Sequence, residues 1–390
     1  MRLFAENTTW ARRTFSPDGT VTDETTASRG ACTEVDRAGV TEHRIVENVA
    51  DDGVLAVFER PQHEIVDDEF ILAAKRTGAE ITVGAWQQHI AVGAPGTTRS
   101  AERFLTSTEV RLRGEDGTSH AQVLFGPGGD IDQAAEDVRA RLAIPFVDEL
   151  PQADLVLQPG RAGAFFHEVV GHPMEADVVA SDTSYLGALR GQVIAPEWLT
   201  VVDGGQRAEA GFRSSVDDEG TPCRDALLID RGRVGEPMTD LALAERLGVP
   251  GSGHARRQSY RHPAIPRMTH TCGLVGEDAS LTGPEGPWIA AHGLKLQVMN
   301  IASGDFVFTV SFALLHKADG TVRRLGPFDV VGNGLDVLRS IRPYSREVAE
   351  YGRVTGGCGK LGQFPVPVTF ANAGVCLPAG SVVLREVRRG

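Results

Sequence analysis

Aromatic residues make up only 6% of the 390-residue chain. Beside 45 glycines, that scarcity argues against a helical bundle and for many turns and closely packed strands. No apolar run approaches the ~18 residues of a membrane helix. Cysteine is sparse and unpaired in pattern. Cys32, Cys223, Cys272, Cys358 and Cys376 are odd in number, widely spaced and without a CxxC pair. This fits reduced thiols better than a disulfide framework. Positive charge is in deficit: 39 Lys and Arg against 52 Asp and Glu leave a formal net charge of -13. Such a surface repels phosphate backbones and anionic lipid, so no nucleic-acid or membrane partner is expected. The stretch Gly126-Pro127-Gly128-Gly129 lacks the Lys-Ser/Thr of a phosphate loop, and there is no dinucleotide fingerprint. The first residues, MRLFAENTTWARRTF, contain no secretory apolar segment. The expectation is a cytoplasmic globular protein.

What is present divides into two textures. Residues 1 to about 130 alternate apolar and polar side chains in short stretches, such as Ile81–Trp86 and Val110–Arg113. Turn signals separate them at Pro17-Asp18-Gly19, Asp51-Asp52-Gly53 and Glu115-Asp116-Gly117. That is a hairpin-rich antiparallel pattern. Helical spacing predicts one helix over Asp67–Gly78 and a second over Asp130–Leu142, with Asp130 as its N-cap. Turn formers cluster at Gly126–Gly129 and again from Pro145 to Gly160, which places a domain boundary near residue 150. Beyond it, an apolar helix is predicted over Ala162–Glu175. Glycine-punctuated strands follow at Leu199–Val202, Leu227–Ile229, Phe306–Leu315 and Val366–Phe370. The expected fold is α+β, with an N-terminal hairpin-rich α/β domain (1–150) and a mainly β C-terminal domain (151–390) built around one helix.

That helix carries His167-Glu168-Val169-Val170-Gly171-His172. Zinc catalysis needs neutral nitrogen or thiolate ligands, an open position for water, and a carboxylate to take its proton. Two histidines and a glutamate on one segment could supply two ligands and a base. The usual spacing is four residues; five rotate a regular helix by roughly 140°, pointing the rings apart. A shared metal therefore demands a local π-type widening. Gly171 and Pro173, on either side of His172, fit a helix that loosens there. The motif alone also suits two core histidines, so a third ligand has to decide. The other histidines, the acids and the cysteines are all candidates. Cys358 stands out between Gly357 and Gly359, with Lys360 near enough to favour a thiolate. It also suits a small buried residue in a glycine turn.

These motifs and others in order make the chain resemble the TldD/PmbA metallopeptidases, specifically the active TldD-like branch. His167–His172 with Glu175 resembles the family's HExxxH helix. Val216–Pro222 resembles its DDEGTP block. Gly253–Tyr260 and Pro266–Thr271 resemble its arginine-rich and PRMTNT-like blocks. Ser303–Phe306, Gly332–Gly334 and Cys358–Gln363 complete the set. The resemblance covers about residues 155 to 380. It implies Zn2+ held by His167, His172 and Cys358, with Glu168 as general base. It also implies a cavity shared by two subunits, as a homodimer or a heterodimer with a related, often silent, TldD/PmbA-like chain. A peptide would bind there strand-like. The chain departs from the family in a short segment before the motif, in Pro173–Asp177 where a Gly-Leu-rich run is usual, and in missing basic residues before Thr183-Ser184.

Other polar residues suit the substrate. Asp218 and Glu219, in a tight acid run with Asp217, could orient a substrate or a ligand histidine, or simply form a polar turn. Arg256, Arg257 and Tyr260 could bind a substrate carboxylate or oxyanion, or form structural ion pairs. His254, His262 and His270 could support the site, or be satisfied structural histidines. The remaining cysteines are read as inert. The functional expectation is a zinc metallopeptidase acting on unfolded or small peptides. The alternatives are a specialised biosynthetic amide hydrolase, processing a leader peptide or carrier, and a non-catalytic partner subunit.

Overall fold

The computed structural model describes residues 2–37, 40–46, 67–93, 97–126, 129–160, 163–354 and 356–387. The architecture is α+β and two-domain. The N-terminal part is one antiparallel sheet of strands β1 (Arg2–Phe15), β2 (Val21–Arg37), β3 (Val40–Val46), β4 (Glu80–Gly93), β5 (Arg99–Arg113) and β6 (Ser119–Phe125), in the order β3-β2-β1-β4-β5-β6. Its turns follow from local chemistry. Asp18 accepts the Thr20 N–H at 2.8 Å, and Gly19 takes the positive φ of 91° that closes the β1–β2 hairpin. Asp116 and Gly117 do the same between β5 and β6. Helix α1 spans Asp67–Thr77 and α2 spans Ile131–Leu142. Asp130 caps α2 as expected, accepting the Gln133 N–H at 2.9 Å. The buried faces of the helices, Ala73 and Ala74 on α1 and Ala134 and Ala135 on α2, pack on Phe15, Ile81 and Val110. The expected turn at Asp51–Gly53 lies outside the described residues, as do Pro127, Gly128 and Ala162.

The C-terminal part holds a ten-stranded mixed sheet and a four-stranded antiparallel sheet, Leu294–Met299, Asp305–Val310, Phe328–Asn333 and Val382–Glu386. One core joins them, and the segment Gly163–Met174 packs on both. Phe165 meets Phe306 and Phe308 of the smaller sheet, with ring centroids 5.9 and 6.1 Å apart. Phe166 lies over Gly273 of the larger sheet so closely that a Cβ there would sit 2.3 Å from the ring. Two expected strands are corrected. Phe306–Leu315 is two strands, since Ser311-Phe312 turns the chain and Ala313–His316 joins the larger sheet. Val366–Phe370 is likewise broken: Val366 ends a hairpin strand, and Thr369 begins Thr369–Leu377. Among the described residues no helix is long and apolar enough to cross a membrane.

Candidate metal centre

The five-residue histidine spacing is resolved by the backbone. Gly163–Phe166 is α-helical, His167–Gly171 is a π-turn, and His172–Met174 is a 3-10 turn. The His172 N–H bonds back to the His167 carbonyl, the wider ring a π-turn requires. The imidazoles thus come together, centroids 5.1 Å apart and nearly perpendicular. Gly171 sits close to Met268: a Cβ there would approach that side chain to 3.0 Å, so the methionine would have to shift slightly.

Cys358 reaches the same point from a short hairpin, Cys358–Lys360 paired with Gln363–Val366. Its Sγ lies 3.3 Å from His172 Nε2. One ligand-type atom from each of His167, His172 and Cys358 fits within 4.8 Å of the others. Arg267, fully buried, pins the hairpin by donating to the Cys358 carbonyl at 2.7 Å and the Gln363 carbonyl at 3.3 Å. Glu168 Oε2 stands 3.7 Å from His172 Nε2.

Hydrogen bonds orient both rings. Thr271 donates its hydroxyl proton to Asp203 at 2.6 Å, so it is left to accept from His167 Nδ1 at 3.3 Å. Glu175 Oε2 accepts from His172 Nδ1 at 3.0 Å. Both Nδ1 atoms being occupied, Nε2 is the nitrogen each ring turns to the shared point. Burial opposes the His172 imidazolium, but the Cys358 sulfur and Glu175 outweigh it and raise its pKa well above the ordinary value. Asp203 also accepts the N–H and hydroxyl of Thr269, both at 2.8 Å, and faces His254 Nε2 at 3.2 Å. Glu175 is held by Lys360 at 3.1 Å, which also bonds Asp177 at 2.7 Å.

Electrostatics follow from this packing. Burial pushes the Glu168 carboxyl up, against the pull of His172 and His167. Burial also opposes the Cys358 thiolate, but His172 and His167 outweigh it and hold the thiol well below its ordinary value. The other four cysteines move the opposite way, Cys32, Cys223 and Cys272 to about 12 and Cys376 to about 11, because burial dominates. Lys360 is not what lowers Cys358. Its ammonium is committed to Glu175 and Asp177, which corrects the role expected from its proximity in sequence.

The residues weighed for substrate contact lie elsewhere, most of them engaged at the junction of the two domains. Asp218 pairs with Arg103 of β5 at 2.7 Å, and Glu219 with Arg2 of β1 at 2.7 Å. Arg257 pairs with Glu34 of β2 at 3.0 Å. The Tyr260 ring packs against Gly30 of β2, where a Cβ would fall 2.4 Å away. His270 bonds Thr369 at 2.7 Å, while its neighbours Thr269 and Thr271 bond Asp203. His262 bonds Ser259 at 3.1 Å. Arg256 is buried, donating to the Met268 carbonyl at 2.7 Å. Asp203, Thr271 and the Lys360–Asp177 pair were not singled out as site residues from sequence. The only signal for Thr271 was its place in the Pro266–Thr271 block.

A family model described as the PmbA/TldA metallopeptidase C-terminal domain matches residues 151–366. The "Metalloprotease TldD homolog" of Buchnera aphidicola subsp. Acyrthosiphon pisum is 33% identical over 211 residues, 54% of this chain and 44% of that protein. The "Zinc metalloprotease TldD homolog" of Saccharolobus solfataricus is 30% identical over 245 residues, 60% of this chain and 53% of that protein. The chain therefore spans about half the length of the curated relatives it matches. In fold it is similar to TldE from Thermococcus kodakarensis, with TM-score 0.75, 14% identity, and 98% of this chain and 96% of that one covered.

Proposed function

The chain belongs to the PmbA/TldD metallopeptidase family, and from that premise we propose that it is a zinc-dependent peptidase hydrolysing amide bonds of unfolded or small peptides. The observation that carries this reading is the meeting of His167, His172 and Cys358 beside Glu168, across a π-turn that has no other evident purpose. Two imidazole Nε2 atoms, His172 giving up its proton to bind, and one favoured thiolate form a donor set that suits zinc. Zinc held there would supply Lewis acidity toward a scissile carbonyl and toward the attacking water. Glu168 takes the proton from that water at its carboxylate and returns it to the leaving amine. Thr271 and Glu175 keep the ligand rings in one tautomer throughout. A related TldD/PmbA-like subunit is the proposed partner, and the free cysteines suit a reducing, cytoplasmic setting.

The test is Glu168→Gln, assayed on unfolded casein and on small peptide amides, with zinc measured per chain. Zinc is expected to stay bound and turnover to fall about 100-fold or more. Undiminished turnover would sink the mechanism. Activity confined to small amides would favour a specialised biosynthetic hydrolase with the same chemistry.

A further inference from the structure

A cleft of about 600 Å³ opens between the six-stranded sheet and the C-terminal part, and the metal centre does not account for it. Trp10 of β1 and Trp86 of β4, direct cross-strand partners, line it from the sheet side. Gly356 and Pro365, from the segment that carries Cys358, line it from the other. The cleft thus shares a chain segment with the proposed reaction centre, although none of His167, Glu168, His172 and Cys358 lines it.

Its arginines are not alike. Arg12 pairs with Glu24 at 2.6 Å and Arg257 with Glu34 at 3.0 Å. Arg256 has no such partner. It is only 3% exposed, with its guanidinium 4.0 Å from the centre of the Phe212 ring and its Nη1 donating to the Met268 carbonyl. Its Nε is buried with no hydrogen-bond partner. Among the described residues no carboxylate forms an ion pair with it, since Asp218 is taken by Arg103 and Glu34 by Arg257. Burial, and then the neighbouring Arg103 cation, push its pKa down to about 9. Asp218 and Asp203 offset part of this from a distance. A buried cation with no carboxylate bound directly to it is still costly, and an incoming anion relieves that cost.

We infer that this cleft is a carboxylate-binding site, in which Arg256 receives a peptide carboxylate while an adjacent apolar side chain of the peptide lies against Trp10 and Trp86. A guanidinium offers donors in a planar fork that matches a carboxylate. The half-buried Trp10 indole supplies an apolar face, backed by Trp86, which is only 6% exposed. Thr26 gives the same wall a polar group suited to a peptide backbone, whereas Gln88 is already bonded to Glu6 and Arg103. The inference rests on the peptidase reading only for the ligand being a peptide.

Binding of three synthetic peptides to the full chain carrying Glu168→Gln tests it, by calorimetry and tryptophan fluorescence. The probes are acetyl-Ala-Ala-Phe as the free acid, the same peptide as its amide, and acetyl-Ala-Glu-Phe amide. The free acid is expected to bind roughly tenfold or more tighter than its amide, as a desolvated charge pair implies. If the glutamate-bearing amide matches the free acid, the carboxylate comes from a side chain; if it binds like the plain amide, it comes from the C-terminus. Equal binding of all three overturns the proposal. Arg256→Met should abolish the preference and Arg256→Lys keep part of it. A preference unchanged in a folded Arg256→Met protein also overturns it. The acid-over-amide comparison needs no change at Arg256, so a variant that fails to fold leaves it decisive. Failure of the preference with zinc-dependent cleavage intact leaves the peptidase reading standing. Loss of cleavage does not touch the preference.

Discussion

Asp203→Asn isolates the support beneath His167. Asp203 is wholly buried and collects four contacts, from the Thr269 N–H and hydroxyl, the Thr271 hydroxyl and His254. Burial raises its pKa, but the His254 and threonine donors overturn that and leave it at about 2, against an ordinary 3.8. A depression of that size corresponds to about 2.5 kcal/mol of stability at neutral pH. The sign is that of a depressed acid. The contribution is complete above the unfolded pKa near 4, and it is lost as pH falls from there toward 2. Asparagine preserves the shape but removes the charge and turns an N–H2 group toward existing donors. The loss at pH 7 is therefore expected to be about 3 kcal/mol, lowering the urea midpoint by roughly 0.5–1 M. The gap between the two proteins should shrink on acidification from pH 7 toward pH 3, because the unfolded parent then binds a proton at Asp203 that the folded parent, with its pKa of about 2, does not. Zinc affinity, read by chelator competition, should fall about 10- to 100-fold as Thr271 ceases to fix the His167 tautomer. Equal midpoints at pH 7, or a gap that does not narrow in acid, would refute the reasoning.

Lys360→Met removes the cation shared by Glu175 and Asp177, loosening the carboxylate that orients His172. Chelator competition should show zinc held about 10- to 100-fold more weakly, with the fold intact by circular dichroism. Gly163→Ala places a methyl 2.1 Å from the Phe370 Cβ, where backbone and ring must both give way. Denaturant titration should register about 1–3 kcal/mol of destabilisation from this overpacking. A smaller change would mean the helix start can shift.

The parts legible in sequence were those governed by local rules. The α2 cap at Asp130, the two hairpin turns and the five-residue histidine spacing each state a backbone requirement within a few residues. The spacing demanded a widened helix at Gly171, and the π-turn at His167–Gly171 supplies one. What escaped depends on partners far along the chain. Arg257 sits in a block that reads as substrate-binding, yet its carboxylate partner is Glu34, from a strand more than two hundred positions earlier. Lys360 reads as a neighbour of Cys358, but the fold delivers it to Glu175 and Asp177 instead. The break at Ser311-Phe312 was hidden because both flanking strands are largely apolar, so the hydrophobic run continues where the chain passes from one sheet to the other.

The separation of Cys358 from His172 by 186 positions also sets an order of events during synthesis. While the ribosome is still making the middle of the chain, the histidine helix exists without its thiol and without the hairpin that carries it. The nascent protein is then an incomplete ligand set beside neighbouring unfolded chains, including its own. Under the reading proposed above, cutting power arrives only once Cys358 and its hairpin have emerged. A peptidase assembled in this order is silent through the stage at which it would be most exposed to its own activity.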